Sequence, residues 1–316
     1  MLKHSYLYSF NYDYHNSALC KLETRQLFNE EEKNKIIFSD RSINPSISPF
    51  IKNRVELISY GTNYHELLIR IKSKKITIED FKVEYLTLPG DLTGHTERRE
   101  KSKDIGYSIE GQPNFKTPTI TYTICKHNNT YYFGVLIKHD IDWLKHKHKP
   151  CSFSNSINMD IAKSLLCIAT KGDTSKHLLD ACCGVGTIIL EGCISGFNIE
   201  GCDINPKSCK HTEKNLNYYN YISKVYCSDI QNITKKYDTA IIDLPYNLYS
   251  YSNESITSNI INSTAKLTEK LIIVSISDIQ IMINDAGLEV IDYCTVEKRG
   301  KSKFSRKIWV CEKTLP

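Results

Sequence analysis

The chain has 316 residues, enough for two domains with separate cores, and its 41% hydrophobic and 24% charged content is that of a soluble globular protein. No apolar run approaches the ~20 residues of a membrane span, and no basic segment followed by an apolar one opens the chain, so a membrane or exported protein is not expected. The net charge of +5 lies wholly in the first half: residues 1–150 hold 23 Lys+Arg against 18 Asp+Glu, residues 151–316 hold 18 against 18.

In chain order, Tyr6–Phe10 alternates as a strand, and Ala18–Phe28 has helical spacing. Val55–Tyr60 and Phe81–Leu86 read as strands, with a helix over Tyr64–Ile71. A short helix or turn at Ile105-Gly106 leads to strands over Thr119–Ile124 and Tyr131–Leu136, joined by the turn-prone Asn128-Asn129. This first stretch is α+β in pattern. A basic run, Lys145-His146-Lys147-His148-Lys149-Pro150, marks the break, giving an N-terminal region of residues 1–145 and a C-terminal domain of residues 146–316.

After the break, strands and helices alternate. Helices are expected over Ile157–Ala169, Gly186–Ser195, Pro206–Tyr219 and Ile279–Ala286. Strands are expected over His177–Asp180, Asn198–Asp203, Lys224–Cys227, Thr239–Asp243 and Leu271–Ser275. Leu288–Val296 and Lys307–Cys311 form a closing hairpin around the basic loop Lys298–Arg306. The fold class is α/β: a doubly wound, mostly parallel sheet preceded by the α+β region. In such sheets a ligand sits at the carboxyl ends of the strands.

The strand ends carry the chemistry. Asp180 ends the first and runs into Cys182-Cys183-Gly184-Val185-Gly186-Thr187. Two glycines let a backbone approach a ligand, and the helix start turns its amides toward it. Ile189 stands where a dinucleotide fingerprint needs a third glycine, and no Gly-Lys-Ser/Thr triplet makes a P-loop. What remains suits the amino and carboxylate ends of S-adenosylmethionine; a plain tight turn is the competing explanation. Asp203, 23 residues after Asp180, stands where an acid commonly takes ribose hydroxyls, or it caps the next helix. Asp229 ends a third strand, where it could accept from an adenine amino group or be a surface loop acid.

The fourth strand end is Asp243-Leu244-Pro245-Tyr246. Asp243 and the Leu244 carbonyl could accept from an exocyclic amine while Tyr246 stacks on its ring. Alone, the tetrapeptide would be read as a turn. Among basic residues, Arg98, Arg99, Lys101 and Lys103, then Lys145, Lys147 and Lys149, then Lys301 and Lys303, are candidates for phosphate contact; solvated basic loops are the alternative. His146 and His148 fit a solvated linker. The twelve cysteines include no CxxC pair, so reduced thiols in a cytoplasmic protein are expected, and no metal.

The series LDACCGVGT, GCDIN, SDI and DLPYN resembles the class I S-adenosylmethionine-dependent methyltransferases with an Asn/Asp-Pro-Pro-Tyr motif. More narrowly, Lys149-Pro150 before the helix at Met159–Leu165, Pro118-Thr119-Ile120-Thr121 and Tyr132-Phe133-Gly134 resemble the THUMP-domain tRNA guanosine N2-methyltransferases, over roughly residues 100–312. The resemblance implies a Rossmann-like seven-stranded domain behind a ferredoxin-like and THUMP-like RNA-binding region. It also implies a tRNA or other structured RNA as partner, no membrane, and room for a small helper subunit. Asp180, Cys182 and Gly184, with Gly186 and Thr187, would line the methionine part of the cofactor. Asp203 and Ile204 would hold its ribose, Asp229 and Ile230 its adenine, and Ser154 and Asn155 would flank it. Asp243, Leu244, Pro245 and Tyr246 would hold a guanine, tRNA position 10 being the favoured guess. Leu244 departs from the family's first proline, and Cys182-Cys183 stands where Phe-Cys is common. The rival readings are rRNA guanine N2, adenine N6 in nucleic acid, a protein glutamine, and a non-catalytic RNA-binding protein that keeps the cofactor fold.

Overall fold

The computed structural model describes residues 3–153, 156–245, 251–297 and 305–314. In chain order it places β1 (Tyr6–Phe10), α1 (Ser17–Phe28), β2 (Ile36–Ser39), β3 (Ile51–Gly61), α2 (Tyr64–Ser73), β4 (Phe81–Tyr85) and α3 (His95–Gly106). Then come β5 (Ile120–His127), β6 (Thr130–Lys138), α4 (Met159–Thr170), β7 (His177–Asp180), α5 (Thr187–Ile194), β8 (Asn198–Asp203) and α6 (Pro206–Tyr218). The chain closes with β9 (Val225–Cys227), β10 (Thr239–Asp243), α7 (Tyr251–Ala265), β11 (Lys270–Ser275), α8 (Gln280–Asp285), β12 (Leu288–Glu297) and β13 (Ser305–Lys313).

These elements fall into two compact units. One comprises Met1–Asn11, Glu32–Ser46 and Phe50–Asp140; the other Tyr12–Glu31, Ile47–Pro49 and Ile141–Pro316. The first is a six-stranded sheet, β2-β1-β3-β6-β5-β4, in which only the β4–β5 pair is parallel. Asn128 and Asn129 both take positive φ, 46° and 65°, as a tight hairpin turn between β5 and β6 requires. Alternation along β6 sends Tyr131 and Phe133 into a core with Leu67, Ile71 and Ile105, and Tyr132 and Leu136 into another with Leu7, Val55 and Leu57. Most of helix α3 was missed: the sequence marks only a short helix or turn at its end, Ile105-Gly106, because only Lys101 and Ile105 of its twelve residues are buried and an apolar period is absent.

The second unit is a seven-stranded sheet, β12-β13-β11-β10-β7-β8-β9. β7 pairs in parallel with β8 and β10, β8 with β9, and β10 with β11; β13 runs antiparallel between β11 and β12. This is a Rossmann-like doubly wound sheet with a closing antiparallel hairpin. Ala240-Ile241-Ile242 and Leu271-Ile272-Ile273-Val274 are wholly buried, as continuous apolar runs in central parallel strands should be. Chain order reverses at β7, so a crevice opens at the carboxyl ends of β7 and β10. Helix α7 was also missed: its apolar positions are sparse, and its hydrophobic face is narrow.

Helix α1 belongs to this second unit. It packs on α4 and β12, and Arg25 grips Asp292 with bonds of 2.8–3.2 Å from Nη2 and Nε. Gln26 adds a 3.0 Å bond to the same carboxylate. Deeper, Glu23 is wholly buried and accepts from the Ser48 hydroxyl. Burial pushes its pKa from 4.5 up to about 7, against the Ser164 and Ser48 hydroxyls and the Lys163 charge. The fold therefore holds this proton more tightly than the unfolded chain does. The resulting stability is full below about pH 4.5 and is lost as pH rises to about 7. Glu23→Gln should remove that loss, worth on the order of 3 kcal/mol. In urea unfolding its advantage over the wild type should grow from pH 4.5 to 7.5; a pH-independent difference would place the titration elsewhere.

Candidate active site

Four strand ends build one cleft with two lobes. β7 delivers Asp180 behind two buried leucines, and the chain turns at once. Cys183 N–H donates to Cys202 O at 2.9 Å and Gly186 N–H to Cys183 O at 2.8 Å. Gly184 and Gly186 take φ of 56° and 78°, where a side chain is strained. A Cβ on Gly184 would meet nothing within 4 Å, whereas one on Gly186 would lie 2.6 Å from the Thr212 methyl. Gly184 therefore faces open space for a ligand. Gly186 serves the packing of the turn on α6 and does not line the cleft.

Asp203, at the end of β8, accepts from Gly184 N–H at 2.8 Å and from Asn205 N–H at 2.8 Å. Asn205, not Asp203, caps α6, accepting from Lys207 N–H, and Pro206 fills the first helical position. Asp229 accepts from Gln231 N–H at 2.9 Å. At the end of β10, Asp243 is half-buried, Leu244 is buried in the core, and Pro245 is exposed.

The first lobe, of about 340 Å³, is lined by Asp180, Cys182, Cys183, Gly184, Thr187, Asp203, Ser208 and Asp243, with Leu244 and Pro245. Phe153, Ser156, Ile157, Val185 and Ile188 complete it. The second, of about 350 Å³, shares Cys182, Asp203 and Pro245 and adds Ile204, Asp229, Ile230 and Gln231, with Ile256, Asn259 and Ile260 from α7. Thus Asp180, Cys182, Gly184, Thr187, Asp203, Ile204, Asp229, Ile230, Asp243, Leu244 and Pro245 line these two adjoining lobes. The α7 wall escaped notice because that helix had no sequence reading, although Ile256, Asn259 and Ile260 keep the i, i+3, i+4 spacing of one face.

Asp180 dominates the electrostatics. It is 1% exposed, and neither carboxylate oxygen has a hydrogen-bond partner of ordinary geometry among the described residues, although the Cys182 N–H lies near enough to favour the charged form. Burial first, then the charges of Asp243 and Asp203, push its pKa well above the usual carboxylate range. Thr187 Oγ1 is likewise buried without a partner. An acceptor pair and a hydroxyl aimed into a lobe ringed by three acids fit a ligand with a positive charge and N–H donors. Burial also raises the Cys182 and Cys183 thiols well above their ordinary range, so neither is a ready nucleophile.

The basic residues divide. Arg99 and Lys103 are exposed, and with Ser102 and Gly106 they line a cavity of about 540 Å³ in the first unit. Arg98 is half-buried and donates to the Thr87 hydroxyl. Lys101 corrects the sequence reading: it is buried, paired with Glu97, and lies 5.1 Å and 5.4 Å over the Tyr64 and Tyr131 rings, so it is not presented to a phosphate. Its helical position points inward, where the linear sequence shows only a basic run. Lys145 and Lys147 are exposed, whereas Lys149 is half-buried with its pKa lowered by burial. His146, expected in a solvated linker, is buried between Glu191 Oε1 at 2.7 Å and the Tyr221 hydroxyl at 3.1 Å. Ser154, Asn155, Tyr246, Lys301 and Lys303 lie outside the described residues.

Comparison with known proteins finds similarity in sequence and in fold. Residues 144–286 match the family described as Methyltransferase small domain. A tRNA (guanine(10)-N2)-dimethyltransferase of Methanothermobacter thermautotrophicus is 24% identical over 207 residues, which cover 61% of this chain and 60% of that relative. The chain thus spans about 60% of the curated relative it matches. The crystal structure of TrmN from Thermus thermophilus superposes with a TM-score of 0.50 at 14% identity, covering 98% of this chain and 99% of that one, a likeness of fold.

The glycine turn yields a direct check. Gly184→Ala should cost about 1–2 kcal/mol, the strain of a left-handed backbone. Gly186→Ala should cost more, since the Thr212 clash adds to the same strain. Chemical denaturation of both variants should show that order; equal losses would contradict it.

Proposed function

We propose that this chain is an S-adenosylmethionine-dependent methyltransferase and that it methylates the exocyclic N2 of a guanosine in tRNA, position 10 being the favoured site; the match of residues 144–286 to the Methyltransferase small domain family supports the first part. The observation that carries the reading is the place of Asp243. It lies in the same lobe as Asp180, and the next residues, Leu244 and Pro245, line that lobe too. The relative named for guanine N2 in tRNA supports the choice of base and of RNA.

Bound S-adenosylmethionine supplies an electrophilic methyl on a cationic sulfur. In this reading Asp180 meets the positive end of the cofactor, which also restores the ionised form that burial opposes. Thr187 and the Gly184 backbone complete that lobe. Each oxygen of Asp203 already takes one N–H, which leaves acceptor capacity for ribose hydroxyls. Asp229 and Ile230 frame the adenine in the second lobe. Asp243 and the Leu244 carbonyl would accept from the guanine amine and hold its lone pair toward the cleft; the Asp243 carboxylate would take the amine proton as the N–C bond forms and the methyl's bond to sulfur breaks, leaving S-adenosylhomocysteine. Tyr246 supplies the stacking face, and the base flips out of its stack to reach the site. The α+β region, ferredoxin-like and THUMP-like, holds the RNA, with Arg99 and Lys103 as phosphate contacts.

Asp243→Ala should lower methyl transfer a hundredfold or more, while S-adenosylhomocysteine binding stays within about threefold. Mass spectrometry of nucleosides from tRNA treated with enzyme and labelled cofactor should show N2-methylguanosine; N6-methyladenosine in its place would overturn the choice of base. Deleting residues 1–145 is a poor test of RNA binding, because α1 belongs to the methyltransferase unit. Arg99→Ala and Lys103→Ala should instead each reduce the slope of log K against log salt by about 1. An unchanged slope would remove them from the RNA face.

A further inference from the structure

One buried amide joins two separate walls of the first lobe. Asn215, on α6, is fully buried. Its Oδ1 accepts from Cys151 N–H at 2.8 Å; its Nδ2 donates to Cys151 O at 2.9 Å and to Val185 O at 2.8 Å. Cys151 opens the segment that brings Phe153, Ser156 and Ile157 to the lobe, and Val185 lies within the glycine turn. One turn earlier on α6, Thr212 donates to Gly184 O at 2.8 Å, and its methyl fills the space that a Cβ on Gly186 would need. Another turn back, Ser208 reaches the lobe itself. Positions 208, 212 and 215 follow i, i+4, i+7, so one helical face touches the lobe at one end and braces its walls from behind.

Neither Asn215 nor Thr212 lines the cleft. We propose that Asn215, supported by Thr212, is the positioning residue that sets the width of the cofactor lobe by locking the segment at Cys151 to the glycine turn. The inference rests on the reading of this lobe as the cofactor site. The chemistry is specific to an amide. Only a side chain with one acceptor and two donors on a short stem satisfies all three backbone groups at once. Leucine has nearly the same shape but leaves Cys151 N–H, Cys151 O and Val185 O without this partner. Those groups would regain partners by letting the two walls part and admit water. The binding geometry would suffer, while Asp243, on another strand, would not move.

The test uses the full chain, with calorimetric titration of S-adenosylhomocysteine and steady-state transfer to tRNA. Asn215→Leu should weaken binding by about tenfold to a hundredfold and raise KM for S-adenosylmethionine alike. kcat at saturating cofactor and KM for tRNA should stay within about twofold. Thr212→Val, close to isosteric, should shift cofactor affinity in the same direction by less, and it keeps the inference testable if Asn215→Leu does not fold. Wild-type affinity in either folded variant, or a fall in kcat at unchanged cofactor KM, would overturn the proposal. A wild-type protein that does not bind S-adenosylhomocysteine would instead overturn the cofactor reading itself.

Discussion

The N–H of Gly184 donates to the Asp203 carboxylate at 2.8 Å, and the carbonyl of the same residue accepts from Thr212 at 2.8 Å. Held at both ends, with φ at 56°, Gly184 cannot relax. That constraint ties the first glycine turn to the end of the neighbouring strand and to the helix behind it. It holds Asp203 beside the turn that follows Asp180, while the parallel pairing of β10 with β7 brings Asp243 to the same lobe although like charges repel. The opposition is visible in Asp180, whose carboxyl is pushed toward the protonated form by burial and by the other two acids. Such a site costs free energy to build and regains it when a cation arrives.

Leu244 stands where the methyltransferases that this sequence resembles carry proline, and the sheet accommodates it. Its N–H donates to Val274 O at 3.0 Å, extending the β10–β11 ladder by one residue, and its side chain joins the core. Proline at this place would have no N–H to give. The leucine therefore substitutes a sheet bond for ring rigidity.

Much of this was legible in the residues. The strand-end acids sit where apolar runs stop, and the run lengths of the central strands are set by burial on both faces, so β7, β8 and β10 and their carboxylates could be placed without a structure. Helices α3 and α7 could not. In each, polar residues interrupt the apolar period, and tertiary packing rather than amphipathic pattern secures the helix. Arg99, Lys101 and Lys103 make the same point. They are near neighbours of one charge in the sequence, yet helical geometry turns Lys101 between two tyrosine rings and leaves the other two facing solvent.

Local chemistry alone determined the alternation of strands and helices, the glycine turn and the order of the acids, because each depends on residues close together in the chain. Only the tertiary structure decided that α1 packs with the second unit, that Asp180 is buried beside two other acids, and that Asn215 braces two walls of the cleft. Each of those facts is a meeting of residues far apart in sequence. The contact at Asn215 spans 64 residues to Cys151 and 30 to Val185, and no periodicity along the chain encodes which distant backbone groups a buried amide will satisfy.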